Sequence, residues 1–101
     1  MTTVITVRRR VGRVVVFEGR CIEVRSSRSG STYAALFEHG TWLGSFKAVF
    51  LRDAVARVGG PQFIKSLAGS TVRIRGLVQQ HELFGYEILV NDRSMILRVS
   101  A

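Results

Sequence analysis

The sequence predicts an all-β domain with one short helix, folded as a five-stranded Greek-key barrel. Short runs rich in Val, Ile, Phe and Tyr alternate with Gly- and Ser-bearing turns along most of the 101 residues. Between the third and fourth of these runs the apolar period lengthens towards that of a helix, over Asp53 to Val58. Glycines interrupt the two longest runs, at Gly19 and Gly76, where a long strand must bend for a small sheet to close on itself.

Residues 1–12, with Arg8, Arg9 and Arg10, read as a basic arm leading into the first strand, and residues 13–101 as a single domain. The first seventeen residues carry no acid and four Arg, but an organelle-targeting segment fits them less well, because Val, Ile and Thr dominate and Arg8, Arg9 and Arg10 are consecutive rather than spread around a helix. Strand one is expected from Arg13 to Val24, with a bulge or bend at Gly19. Arg25 to Ser31 form a polar turn, and Ser31 to Glu38 form strand two, with Tyr33, Ala35 and Phe37 on one face. After a turn at His39 to Thr41, strand three runs from Trp42 to Leu51, with Phe46, Ala48 and Phe50 alternating against Lys47, Val49 and Leu51. Asp53 to Val58 suit the helix, which Gly59, Gly60 and Pro61 stop, and Phe63, Ile64 and Leu67 make a further apolar turn. Strand four is Thr71 to Gln80, the turn is His81 to Gly85, strand five is Tyr86 to Val90, and a last short strand covers Met95 to Val99. Phe37 and Phe50 are the expected core aromatics.

Composition bounds the function. The chain is 47% hydrophobic with a single Pro, enough for one core and not for two. No apolar run approaches the roughly 20 residues that cross a bilayer, so a soluble or peripheral chain with no membrane partner is expected. Fifteen Lys and Arg, thirteen of them Arg, face seven acids, and the net charge of +8 attracts polyanions before any specific contact forms. Base composition of the genome can favour Arg over Lys, but it does not account for the scarcity of acids. The lone Cys21 rules out an intrachain disulfide framework or a Cys-based zinc site, and a reducing, cytoplasmic setting is expected. His39 and His81 stand in turns, away from any Cys/His or paired-acid motif, and no phosphate-cradling Gly-Lys-Ser/Thr loop occurs. Glu18, Glu23, Glu82 and Glu87 read as solvated partners of nearby arginines. No enzyme activity, cofactor or metal is expected.

The stretches "FEGRCIEVRSSRSGSTYAALFE", "FKAVFL" and "LAGSTVRIRGLVQQHELFGYEILVNDRSMI" resemble the OB-fold nucleic-acid-binding domains of the single-strand-binding type, over roughly Val14 to Val99. That resemblance implies a binding platform on strands two and three, rimmed by the loops Arg25 to Ser31 and His81 to Gly85. Single-strand binding needs cations that track phosphates and aromatic faces that stack bases at about 1 to 3 kcal/mol each. Arg25 and Arg28 are placed to fork onto phosphates, although a polar hairpin tip would use the same Ser and Gly residues. Tyr33, Trp42 and Phe84 are the stacking candidates, with a rim-capping role as the alternative for Tyr33 and Trp42. Lys47 is expected to face solvent on the groove, and Arg73 and Arg75 to be exposed on one face of strand four, in the groove or on the opposite wall.

Two function classes follow. The first is a non-catalytic domain that binds single-stranded DNA or RNA through a basic, aromatic OB groove. The second is an assembly module that oligomerises or docks an acidic protein through an exposed edge such as "MILRVS".

Overall fold

In the computed structural model, which describes residues 1–101, the chain is mostly β with two short helices. The strands are β1 (Val14–Arg20), β2 (Glu23–Ser26), β3 (Tyr33–Leu36), β4 (Lys47–Phe50), β5 (Thr71–His81), β6 (Gly85–Leu89) and β7 (Ile96–Ser100). Helices α1 (Arg52–Val58) and α2 (Pro61–Lys65) lie between β4 and β5, and 3-10 turns cover Val7–Arg10 and Arg93–Met95. One helix and five strands were expected; the structure has two helices and seven hydrogen-bonded segments. The extra helix arises because Pro61 supplies a preset φ and a missing N–H at the first turn, both of which suit a helix start. It buries Ile64, and Leu67 just beyond it is buried too. No helix is long and apolar enough to cross a membrane.

The seven strands form one mixed sheet in the order β1-β5-β6-β4-β3-β2, with β7 added on β5. β2, β3 and β4 make the expected antiparallel meander. β4 and β6 run parallel, joining that meander to the second half of the chain. The two ends of the path, β1 and β2, are consecutive in sequence and separated only by Cys21 and Ile22. There the chain passes from one side of the sheet to the other: the Cys21 N–H donates to Ser70 O and the Ile22 N–H to Leu36 O, each at 2.8 Å. The break in the first strand therefore falls after Gly19 rather than at it. Gly19 stays in register opposite Val72, and an added Cβ would lie 2.8 Å from the Phe17 ring, so its small size makes room for that core residue.

Burial follows the period of the strands. Along β5, Val72, Ile74, Gly76 and Val78 point inwards while Arg73, Arg75 and Leu77 point outwards. Val14 to Arg20 of β1 line one edge of β5; on the other edge Thr71 to Ile74 pair with β7 and Val78 to His81 with β6. Gly76 sits where β5 changes partner, and a Cβ there would lie 2.5 Å from Ile88 Cγ2 and 3.0 Å from Met95 Cε. Phe17 packs on Phe37 and Phe46 with ring centroids 4.9 and 4.6 Å apart, and Phe50, Ile64, Leu67, Ile74 and Ile88 complete the core. Phe37 and Phe50 are core residues, as expected.

Residues 1–12 pack against the rest of the domain. Thr2 bridges to Phe17 in parallel, and Val7 is fully buried in the core. Arg8 is tied to the Glu38 carboxylate.

Candidate nucleic-acid interface

The loop Ser27 to Thr32 is an ordered turn rather than a mobile strap. Ser27 Oγ accepts from the backbone N–H of both Ser31 and Thr32 at 3.2 Å, and the Ser27, Ser29 and Ser31 hydroxyls form a chain at 3.3 and 2.7 Å. Gly30 takes the left-handed φ of +72° that lets the turn close. These bonds leave Arg25 and Arg28 projecting from an anchored base, both exposed. Arg25 pairs with Glu23 at 3.0 Å, an exposed contact that competes weakly with a phosphate.

Strand three was expected to start at Trp42, but β4 begins only at Lys47 and residues 41–45 fold back over the outer face of the sheet. The turn at 82–84 meets them there. Trp42 Nε1 donates to Leu83 O at 2.6 Å, and the Trp42 and Phe84 rings meet edge to face at 6.3 Å. The His81 ring lies 5.1 Å from that of Phe84, tilted against it. Gly85 is needed at this junction, since its φ is +73° and an added Cβ would run into the Leu43 carbonyl.

Lys47, expected to face solvent on the groove, is buried instead. It alternates away from Phe46 and Ala48 as expected, yet it is 0% exposed because the two loops close over it. Its ammonium donates to Trp42 O at 2.6 Å, to Ser45 O at 2.7 Å and to Phe84 O, and lies 4.7 Å from the Trp42 ring centroid. Burial pulls its pKa down to about 8, which keeps the charged form dominant at neutral pH. Lys47 is thus the clamp beneath the loops and not a groove cation.

Beside it in the same cross-strand row stands Glu87, also 0% exposed, with neither carboxylate oxygen hydrogen-bonded. Burial raises its pKa, against the opposing pull of His81 and Lys47. Glu87 was expected to be a solvated partner of an arginine, and that too is corrected. Glu18 and Glu23 do pair with Arg73 and Arg25.

Between the Arg25–Ser27 end of β2 and the loop cover lies a cleft of about 240 Å³, lined by Arg25, Ser26, Ser27, Thr32, Tyr33, Ala34, Trp42 and Phe84. Arg25 holds its guanidinium 5.9 Å from the Trp42 centroid. A cation, two half-exposed rings and the hydroxyls of Ser26 and Thr32 thus meet at one opening, a combination suited to a nucleotide's phosphate and base together.

Of the residues expected at the site, Arg25, Trp42 and Phe84 come together in the cleft, and Arg28 stands on the adjoining turn. Tyr33 reaches the cleft wall, but at 5% exposure it is a core residue rather than a stacking platform. Arg73 and Arg75 are on the outer face of β5 as expected, but beside β1 and β7, away from the cleft. Arg73 is held by Glu18 at 2.9 Å. Glu38 was missed: its carboxylate accepts from the Phe46 N–H at 2.7 Å and pairs with Arg8, fastening the loop between β3 and β4. Nothing in its local sequence signals that role.

The fold and cleft define a small OB-like β domain with a basic, aromatic opening. Solved structures share its fold, two synthetases among them. One is assigned as an aspartyl-tRNA synthetase from Leishmania major Friedlin, with a TM-score of 0.57 and 14% identity over 89% of this chain and 19% of that one. The other is the aspartyl-tRNA synthetase from Entamoeba histolytica, with a TM-score of 0.56 and 16% identity over 88% of this chain and 20% of that one. At such identity the likeness is one of fold alone, and the chain spans about a fifth of the length of either protein. No protein-family model and no curated protein matches the sequence.

Proposed function

We propose that this chain is a non-catalytic domain that binds a single-stranded segment of nucleic acid in the cleft between Arg25, Trp42 and Phe84. The observation that carries this reading is the meeting of Trp42, Phe84 and Arg25 at one opening on a body of net charge +8. A base stacks on the exposed part of Phe84 or Trp42, Arg25 takes the adjoining phosphate, and Ser26 and Thr32 offer hydroxyls to the base edge or sugar. No residue of the cleft wall pairs a nucleophile with a base. The architecture fits the same reading: β1 and β2 are taken as two halves of one bent strand and β7 as an extension of β5, which leaves the five strands of a Greek-key barrel. Fold likeness to two synthetases whose names carry tRNA favours RNA over DNA.

The test is a titration with a labelled single-stranded oligonucleotide of about 20 to 30 bases at several salt concentrations, following anisotropy and Trp42 fluorescence together. Binding should weaken steeply with salt and quench the tryptophan. Trp42→Ala and Phe84→Ala should each cost about 1 to 3 kcal/mol of affinity. No binding at low salt sinks the proposal.

One observation favours the assembly alternative: Leu97 and Val99 of β7, with Leu77 of β5 and Val14 of β1, are exposed. Elution volume measured over a hundredfold range of concentration separates the two, since a concentration-dependent dimer without polynucleotide binding supports assembly.

A further inference from the structure

The outer face of β1, β5 and β7 plays no part in the cleft. Strand pairing sets Arg73 directly between Glu18 of β1 and Arg98 of β7. Arg75 is two residues along the same face of β5, and Arg20 is two residues beyond Glu18 on β1. The ion pairs of the chain are Arg8 to Glu38, Arg25 to Glu23 and Arg73 to Glu18, so Arg20, Arg75 and Arg98 have no acidic partner. All three are exposed. Like charges directly opposite on neighbouring strands destabilise a sheet, so Arg73 beside Arg98 is a feature that folding alone does not favour.

The neighbours on this face say what it suits. Its remaining outward positions are Val14, Val16, Thr71, Leu77 and Ser100, with no aromatic ring on which a splayed base could stack. Alternate residues of a strand stand about 6.7 Å apart and neighbouring strands about 4.8 Å, so the backbone site of Arg73 lies about 5 Å from that of Arg98 and about 7 Å from that of Arg75, while Arg75 and Arg98 spring about 8 Å apart and Arg20 about 8 Å from Arg73. A duplex presents one phosphate per about 1.7 Å of its axis with its bases already stacked inside, which asks for cations and not for rings.

We propose that this face binds the phosphate backbone of double-helical nucleic acid, separately from the cleft, so that the chain holds a single-stranded segment and a duplex segment at two sites. The choice of nucleic acid among polyanions rests on the cleft reading above.

The test is a triple variant, Arg20→Gln, Arg75→Gln and Arg98→Gln, which leaves the Arg73 to Glu18 pair intact. It is titrated with three probes: a blunt duplex of about 16 base pairs, a single strand of about 6 nucleotides, and vesicles containing about 30% phosphatidylserine. Duplex affinity should fall at least about tenfold at low salt and the log–log salt slope should shrink by about 2 to 3, while affinity for the short single strand stays unchanged. The matching Arg→Lys variant should retain duplex binding. A variant of equal net charge, Arg9→Gln, Arg10→Gln and Arg57→Gln, should retain it too. Arg98→Gln alone should raise the melting temperature by about 2 to 4 °C while weakening the duplex complex, a pairing of effects that a purely structural arginine would not give. The proposal is overturned if the triple variant binds duplex like the parent, if the equal-charge variant loses as much, or if the parent binds vesicles and not duplex. If Trp42→Ala and Phe84→Ala leave single-strand binding intact while the triple variant still loses the duplex, the cleft reading fails and this one stands.

Discussion

At the scale of single residues, Lys47 and Glu87 show how much a loop can change the meaning of a strand position. They are neighbours across β4 and β6 and both are fully buried, but their hydrogen bonding is opposite. Lys47 is satisfied by three carbonyls, whereas Glu87 has no partner for either oxygen. An unsatisfied buried group is costly and an ionised one more so, and Glu87→Gln puts a neutral amide of nearly the same shape in place of the titrating carboxyl, so it is expected to remove the loss of stability that ionisation of Glu87 brings. The pH dependence has a definite sign. Glu87 binds its proton more tightly folded than unfolded, so its contribution is fully favourable below the ordinary value of 4.5 and is lost as pH rises through the higher folded value. Urea unfolding between about pH 4 and pH 8 should show this loss in the parent and a flatter profile in the variant. Lys47→Met should instead cost about 3 kcal/mol, because three carbonyls lose their donor, and should shift Trp42 emission to the red as the loops part.

At the scale of elements, the site is a junction between loops 41–45 and 81–85, held by Lys47 below and by Trp42 to Leu83 above. β5 makes this possible by serving β7 with its first half and β6 with its second, and Gly76 is the position where no side chain fits. Gly76→Ala is expected to destabilise the domain by about 1 to 3 kcal/mol, because Ile88 and Met95 must both move, and a lowered urea midpoint at unchanged m-value would record it. Much of this level was legible in advance. Alternation placed Phe37, Phe50, Arg73 and Arg75 on the correct faces, because a strand's period fixes sidedness. For the second helix the sequence predicts only an apolar turn, because a stretch as short as Pro61–Lys65 gives the periodic signal too little length.

At the scale of the whole molecule, charge is distributed over two separated surfaces. The cleft combines rings with Arg25, and the β1–β5–β7 face carries arginines without rings. Binding of a long polynucleotide should therefore depend more steeply on salt than binding of a short one, since more phosphates displace counterions. Log–log slopes measured with oligonucleotides of about 6 and about 30 bases test this, and equal slopes would confine the contact to one surface.

The sequence by itself determined the mainly β class, the apolar face of each long strand, the basic composition and the residue types that line the proposed binding cleft. These follow from local period, turn chemistry and net charge, which need no knowledge of what lies opposite. Only the tertiary structure decided that Lys47 is buried, that Glu87 has no partner, that Trp42 meets Phe84, and that Arg73 and Arg75 stand apart from them. Each of those depends on which loop folds over which face, and such long-range contacts leave no periodic mark in the sequence.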